Sequence, residues 1–269
     1  MCDRRGRELG LLSCGTKETE APNADPGCFC CWSIADRSRP GPDGFSFKFL
    51  KCYWDLFCHD VIAYVQEFYR RPLIPVGCNS SFITLVPKVD NPLVVKDYRA
   101  ISLIGLQFKI LAKLLANRIA PILHSVIGVE QSVFLKGRQI LDGPLMVSEL
   151  LSWFKRKKKK LLIFKVDFEK AFDSVGWAYI DQILGFLGFG TVWRSWIRGL
   201  FHNARSSVLV NGSPSAEFQL HCGLQQGDPL SHFLFIIAME GLHVAMLDAV
   251  SPGVYRGVSV RPGDVSLSH

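Results

Sequence analysis

The segment LLIFKVDFEKAFD, residues 161–173, constrains the fold of this chain more than any other part of it. Its first six residues form an apolar run of strand length, and Asp167 follows the run directly. A strand that ends on a carboxylate places an oxygen ligand at a sheet edge, where it can bind Mg²⁺. An Asp in this position is more often a helix cap or a turn residue, so its context must decide between the two interpretations.

Apolar periodicity predicts a helix-rich chain around this segment. Helical spacing predicts helices over residues 47–68, 107–127 and 139–154. Alternating and β-branched residues predict a strand over 81–87. Two further strands, residues 206–210 and 217–221, flank an Asn-Gly-Ser-Pro-Ser turn and predict a hairpin.

The remaining elements follow from capping and turn residues. Asp173 or Ser174 is expected to cap a helix with Ile180 and Leu184 on its buried face. Asp228 and Pro229 are expected to open the last helix, because Asp accepts from free amides and Pro suits the first helical position. A second hairpin is expected over residues 254–267. The order predicts the α+β class with a small antiparallel sheet, and argues against alternating βαβ units.

Composition supports a globular protein with a polyanionic partner. The 269 residues are 48% hydrophobic and 20% charged, which excludes extensive disorder. A net charge of +7 favours nucleic acid as the first candidate partner. The chain start lacks an apolar run of signal-peptide length, so we expect an intracellular protein that is not secreted. Charged and His residues interrupt the apolar stretch 230–250, which predicts a buried helix and no membrane span.

Two other segments leave alternatives open. Residues 1–38 lack periodicity and predict a poorly ordered tail, in which Cys28, Cys30 and Cys31 are a plain cysteine cluster more readily than half of a zinc site. Residues 155–160, KRKKKK, are six consecutive cations, here called the cationic block. The block could contact phosphates, act as a nuclear import signal, or be a solvated loop.

A glycine-flanked loop, GLQQGDPLS at 223–231, precedes the last helix, and such a loop lets backbone approach a nucleotide closely. Taken alone, a loop of this kind is more often an ordinary capped turn. Eight blocks occur in order: PGPDGF (40–45), TLVPK (84–88), DYRAISL (97–103), KILAKLLANRI (109–119), GRQILDG (137–143), FKVDFEKAFDSV (164–175), VNGSP (210–214) and GLQQGDPLS (223–231). This series resembles the reverse transcriptase of plant LINE-type, or non-LTR, retrotransposons. The resemblance covers residues 39–269.

The resemblance implies a right-hand polymerase with a fingers-like region at 39–160 and a partial palm at 161–269. Asp167 then matches the first catalytic aspartate and a ligand of Mg²⁺, and the backbone carbonyl of Phe168 helps to hold the metal. Phe172 matches the bulky residue that excludes a ribose 2′-hydroxyl.

The fingers and the loop are implied to bind the substrate. Lys88 and Arg99 would hold the incoming triphosphate, where cations offset phosphate charge. Gln226 and Gly227 would lie along the incoming nucleotide and the template base. The implied partners are an RNA template, a DNA primer and deoxynucleoside triphosphates, and the implied location is the nucleus.

Departures from the family pattern bear on activity. Cys222 and Gln225 stand where the family has arginines, His232 replaces a proline, and Ala100 stands where proline is common. VSLSH, residues 265–269, resembles the lead-in to an Ala-Asp-Asp hairpin that the sequence does not contain. We therefore expect a chain truncated before that motif and inactive by itself, since one aspartate cannot offset two divalent ions. The alternatives are a non-catalytic RNA- or DNA-binding remnant and a basic helical scaffold.

Overall fold

The computed structural model describes residues 40–135 and 137–250, without the side chain of Val250. The predicted tail, its three cysteines and the predicted hairpin over 254–267 lie outside the described residues. The helices are α1 (Phe47–Cys52), α2 (Trp54–Arg70), α3 (Leu106–Val126), α4 (Asp142–Lys157), α5 (Trp177–Phe186), α6 (Thr191–Phe201) and α7 (Ser231–Val250). The strands are β1 (Ser80–Pro87), β2 (Tyr98–Ile104), β3 (Arg205–Val210), β4 (Ser213–Pro214) and β5 (Phe218–Gln219). This helix-rich α+β composition confirms the predicted class.

The five strands form one small mixed sheet in the order β2-β1-β3-β4, with β5 also pairing with β3. β1 runs antiparallel to β2, and β3 runs antiparallel to β4 and β5, as the hairpin prediction requires. β1 and β3 are parallel, so the prediction of a purely antiparallel sheet is wrong in this pair. Four helices separate β1 from β3 along the chain, and a crossover of that length permits parallel pairing.

Two buried serines fix the register of the parallel pair. Ser81 lies opposite Ser206, and the Ser206 hydroxyl donates to the Ser81 carbonyl oxygen at 3.1 Å. The two hydroxyl oxygens lie 3.2 Å apart, so each polar side chain has a partner inside the sheet. β1 belongs to the predicted fingers and β3 to the predicted palm, and the sheet joins the two regions; the boundary at residue 160 stays a prediction.

The hydrophobic core is built around α3, which buries ten of its residues. Ile119 and Leu123 are fully buried, on the apolar stripe that the sequence predicts. The guanidinium of Arg118 lies 4.7 Å from the ring centre of Tyr69 and 5.8 Å from that of Trp196. This cation–π contact joins α3 to α2 and α6, and it places a charged head on aromatic faces at the edge of the core.

The turn before α1 also holds the start of α3. Asp43 accepts hydrogen bonds from the backbone N–H groups of Phe45 and Leu106. A Cβ added at Gly41 would overlap the carbonyl group of Ile104, so only glycine allows this close approach. The PGPDGF block therefore caps the central helix, a structural role that the resemblance does not specify.

The segment 161–166 is not a strand, and that prediction is wrong. Residues 159–168 have no regular secondary structure, and the side chains of Leu162 and Phe164 are 91% and 82% exposed. A strand persists only when a neighbour pairs with its N–H and C=O groups. In the described ranges no strand lies beside this segment, so apolar composition alone does not give it a strand conformation.

The helix after Asp173 also begins later than expected. α5 begins at Trp177, and its N-cap is Gly176, without a side-chain cap. Asp173 and Ser174 do not cap the helix. The backbone around them is held by residues 223–224, whose N–H groups donate hydrogen bonds to the carbonyls of Phe172 and Val175. Ile180 and Leu184 are buried as predicted. α6 was not predicted; its Arg194 forms an ion pair with Asp181 of α5.

The last helix is buried over half of its length. All six buried residues of α7 lie within its first ten positions, and α5 packs against it where the Tyr179 hydroxyl donates to the Ala238 carbonyl at 2.9 Å. In the part of the chain that the structure describes, α7 alone has the length and apolar composition of a membrane-crossing helix. The prediction of a buried helix holds for the first half of α7.

Asp228 accepts hydrogen bonds at the start of α7, as the sequence predicts, but the helix begins at Ser231, so Pro229 is not its first residue. The Asp228 carboxylate accepts from the Leu230 N–H at 3.1 Å and from the Ser231 hydroxyl at 2.8 Å. The side chain is buried, and burial raises the pKa of Asp228 to about 6, although these hydrogen bonds favour the charged form.

Gly199 of α6 provides a test of the packing. A Cβ at this position would overlap the carbonyl oxygen of Pro72. We expect Gly199→Ala to lower the free energy of unfolding by about 1–3 kcal/mol, although alanine favours helix over glycine. Gly143→Ala in α4 is the matched control, because its Cβ would meet only the Ser132 hydroxyl at 4.0 Å. Urea denaturation measures both variants, and equal stabilities would contradict the packing.

Asp228 predicts a pH dependence of stability. Its pKa is raised from 3.8 to about 6 in the folded chain, so the unfolded state binds fewer protons between these values. The free energy of unfolding therefore falls as the pH rises through this window, by up to about 3 kcal/mol for two pKa units. Asp228→Asn keeps an oxygen acceptor but does not titrate. Urea denaturation from pH 4 to 7 should show a flatter profile for the variant; identical profiles would refute the assignment.

Candidate nucleotide site

The loop of residues 222–228 is held on one side by the segment that follows Asp167. The Gly223 N–H donates to the Val175 carbonyl at 2.8 Å, and the Leu224 N–H donates to the Phe172 carbonyl at 2.7 Å. The indole N–H of Trp177 donates to the Gly223 carbonyl at 2.8 Å. These bonds make residues 172–177 and the loop one rigid unit, although they are far apart in sequence.

The same loop is held on its other side by β2. The Ser102 N–H donates to the Gln226 carbonyl at 2.9 Å. Gly227 has φ +112, and a Cβ there would lie 3.0 Å from the Ser102 carbonyl oxygen. Only glycine adopts this conformation against the strand without strain. The Gln-Gly pair is therefore fixed against the sheet by its backbone, and the Gln226 side chain remains available.

An open cleft of about 320 Å³ lies beside this loop. Its lining consists of eight residues: Phe134, Phe172, Gln225, Gln226, Gly227, Asp228, Ser231 and His232. Three of the residues predicted for nucleotide binding, Phe172, Gln226 and Gly227, meet here. The ring of Phe172 stacks on Phe235 of α7, with centroids 4.6 Å apart and planes at 17°, which fixes its position at the cleft wall.

Lys88 and Arg99, the two cations predicted to bind the triphosphate, lie in different surroundings. Lys88 follows β1, and its ammonium donates to the Lys96 carbonyl at 3.0 Å. Desolvation raises the pKa of Asp173, and the positive charges of Lys170 and Lys88 partly offset this rise. Lys88 is therefore close enough to Asp173 for an electrostatic interaction. Arg99 lies on β2 opposite Val86, is exposed, and makes no ion pair with the described residues.

Asp167 and Phe168 are not part of the cleft. Asp167 is exposed on the irregular segment 159–168. Phe168 lines a second, apolar groove of about 620 Å³ beside α7, together with Phe164 and Val166. These three alternate residues face the same groove, as they would in an extended chain. The structure thus brings together the aromatic and loop residues of the predicted site and leaves its carboxylate apart.

The described residues do not fit a two-ion magnesium site. In residues 40–135 and 137–250, no group of three or more His, Cys, Asp or Glu side chains is arranged to hold a metal ion. Mg²⁺ takes six oxygen ligands, and a pair of such ions needs several carboxylates. Asp167 supplies one carboxylate, and the Phe168 carbonyl supplies a neutral oxygen. Reverse transcriptases generally use Mg²⁺, and this one carboxylate and one carbonyl are fewer oxygen ligands than such an ion takes.

Three departures from the family pattern lie at or beside the cleft. Burial lowers the pKa of His232, and the charge of Lys113 lowers it further, so the ring is neutral at neutral pH. The amide nitrogen of Gln225 lies 3.5 Å from the Ser81 hydroxyl, which links the loop to β1. Cys222 is exposed, with its sulfur 3.6 Å from the Asp173 carbonyl oxygen. The cleft therefore carries no positive charge at these positions.

Sequence reasoning did not identify Phe134 and His232 as cleft residues. Their rings lie 5.7 Å apart and close one end of the cleft. Phe134 has φ +62, an uncommon conformation for an aromatic residue, and it lies on an irregular connection between α3 and α4. No apolar periodicity marks this position, so the sequence carried no signal for it.

Comparison with known proteins assigns the family. Residues 86–255, well over half of the chain, match the family described as reverse transcriptase (RNA-dependent DNA polymerase). The chain is 30% identical to the transposon TX1 uncharacterized 149 kDa protein of Xenopus laevis over 201 residues, which cover 75% of this chain and 15% of that protein.

Two insect proteins are similar as well. Identity to the retrovirus-related Pol polyprotein from type-1 retrotransposable element R2 is 28% over 199 residues in Popillia japonica, covering 71% of this chain and 26% of that protein. In Nasonia vitripennis it is 26% over 210 residues, covering 77% and 20%. The chain spans about a quarter or less of the length of these relatives. The mixed fold agrees with the match, and the chain belongs to the reverse transcriptase (RNA-dependent DNA polymerase) family, as a polymerase domain of the non-LTR retrotransposon type.

Proposed function

We propose that this chain is the fingers and partial palm of an RNA-directed DNA polymerase from a plant LINE-type retrotransposon. The parent enzyme would add deoxynucleotides to a DNA primer on an RNA template by two-metal nucleotidyl transfer. The observation that carries the proposal is the cleft in which Phe172 meets Gln226 and Gly227. A rigid aromatic wall opposite a glycine-containing backbone is a suitable site for a nucleotide.

Each cleft residue has a proposed role in binding. The sugar of the incoming deoxynucleotide would lie against the Phe172 ring, whose bulk leaves no room for a 2′-hydroxyl. Its base would lie along Gln226 and Gly227. Lys88 acts electrostatically on Asp173 of the same segment and would offset the charge of the triphosphate, and Arg99 on β2 would act with it.

Asp167 is proposed to supply one carboxylate ligand of the catalytic Mg²⁺, with help from the Phe168 carbonyl. Bound Mg²⁺ would supply Lewis-acid activation of the phosphate. The sequence contains no Asp-Asp pair, so the remaining ligands must come from elsewhere. We propose that residues 1–269 by themselves do not polymerise, because they contain too few of these ligands.

A second candidate function is a nucleic-acid-binding remnant without chemistry. The lack of a metal-ligand cluster among the described residues favours it, and the net charge of +7 is compatible with both functions. The two functions share the cleft and the cationic surface, and they differ in primer extension. We propose a nuclear location for either one, since the proposed primer is DNA.

The role of Phe172 can be tested by nucleotide binding. Phe172→Leu should lower the preference for dATP over ATP by about tenfold, equivalent to about 1.4 kcal/mol, because the smaller side chain admits the 2′-hydroxyl. Phe235→Leu is the matched control: it removes the same ring stack from a residue outside the cleft lining. Competition against a fluorescent nucleotide measures both preferences. A preference that changes equally in both variants would contradict a steric role for Phe172.

The absence of polymerase activity can be tested by primer extension. The 269-residue chain with Mg²⁺, an RNA template and an annealed DNA primer should give no product above a protein-free reaction. The physical reason is that Asp167 alone cannot hold two divalent ions. Extension that disappears in Asp167→Asn would refute the proposal of inactivity and would at the same time establish the catalytic role of that aspartate.

A further inference from the structure

The cationic block, residues 155–160, ends α4 with six exposed side chains. Lys158 adopts a left-handed conformation, and its N–H bonds to the carbonyls of Phe154 and Lys155, which closes the helix. No described carboxylate lies within 4.0 Å of any of the six cations. The fold therefore gathers six positive charges at one helix end, and no carboxylate of residues 40–135 or 137–250 pairs with them.

Helix stability explains only part of the block. Cations in the last turn interact favourably with the partial negative charge of the helix C-terminus, which accounts for Lys155, Arg156 and Lys157. Lys159 and Lys160 lie beyond the helix, where that interaction has faded. Consecutive like charges repel each other, and bound anions relieve that repulsion. A polyanion would relieve it most effectively, because one chain supplies many phosphates.

An aromatic ring lies beside the cations. The ammonium of Lys159 is 5.2 Å from the ring centre of Trp153, and Trp153 packs edge-on against Phe154 at 5.0 Å. Cations next to an indole are the combination that binds single-stranded nucleic acid, with phosphates on the cations and a base on the ring. A duplex offers no unpaired base to such a ring, so the surface fits a single strand better.

The block also lies close in sequence to the proposed catalytic aspartate. Seven residues lead from Lys160 to Asp167, and a fully extended chain of that length spans at most about 25 Å. Residues 159–168 are irregular and largely exposed, so this connection is accessible to a ligand bound at the block. A nucleic acid strand bound at the block would therefore lie within about 25 Å of Asp167.

We propose that the cationic block binds the sugar-phosphate backbone of single-stranded nucleic acid, independently of its sequence. In the reverse transcriptase that strand is the RNA being copied, and this assignment rests on the proposed function. The phosphate chemistry is shared by RNA and by the unpaired part of a DNA primer, so the experiment must separate these two sources.

The test uses the 269-residue chain and two labelled single strands of one sequence, one RNA and one DNA, each of about twenty nucleotides. The block variant carries Lys158→Gln, Lys159→Gln and Lys160→Gln. The matched control carries Lys48→Gln, Arg70→Gln and Arg71→Gln on α1 and at the end of α2, and both lower the net charge from +7 to +4. Fluorescence anisotropy at about 50–200 mM salt gives the slope of log Kobs against log salt.

We expect the slope to become shallower by about 2 in the block variant, since each lost phosphate contact on a single strand contributes about 0.7. The control should keep nearly the wild-type slope. A loss confined to RNA supports the template as the ligand, and an equal loss on both strands supports a backbone site shared by the two. Equal effects in both variants would overturn the proposal, because net charge alone would then account for binding.

Two further outcomes separate this proposal from others. If the block variant binds both strands like wild type but a fluorescent fusion of it no longer accumulates in the nucleus, the block serves an import receptor and the proposal is wrong. The dATP preference set by Phe172 does not involve the block. If the wild-type chain prefers dATP but binds neither single strand, the inference is wrong and the proposed function stands. If the chain binds single strands through the block but shows no preference for dATP, the result counts against the proposed function alone.

Discussion

A short set of backbone hydrogen bonds around the loop 222–228 determines the rest of the site. One edge of the loop bonds to the carbonyls of Phe172 and Val175, and the other edge bonds to Ser102 of β2. Phe172, Val175 and Ser102 lie beside elements that pack in the core. Folding of the chain therefore orders the loop, and no ligand is needed. The loop loses its conformational entropy when the chain folds, so a nucleotide would bind to a cleft that is already formed.

Much of the helical framework could be predicted, because each helix buries a face whose spacing is visible in the sequence. α3 follows its apolar positions, and Asp228 accepts hydrogen bonds just before α7, although that helix begins at Ser231 and not at Pro229. The resemblance placed Phe172 beside Gln226 and Gly227, and the structure brings these three residues together. Their roles in catalysis remain predictions.

The errors arise where a conformation depends on a distant partner. The apolar run 161–166 has strand composition, but no described strand supplies its hydrogen bonds. The parallel pairing of β1 with β3 was missed because no local turn joins these strands, and β2 was missed although Asn91-Pro92 is a turn signal between it and β1. Phe134 lines the cleft from an irregular connection, and hydrophobic periodicity does not identify residues in such segments. The predicted carboxylate thus lies on the segment whose conformation is least determined by local sequence.

The parallel pair also sets the order of events during synthesis. Ser81 and Ser206 are 125 positions apart, so their contact cannot form until the ribosome has released the intervening chain. At a usual elongation rate this delay lasts roughly 6–25 s, far longer than helix formation. During that interval the edge of β1 that later receives β3 has no partner, and contacts of such high order are slow to close. The newly made segment that contains β1 therefore exposes an unpaired strand edge until β3 has been synthesised.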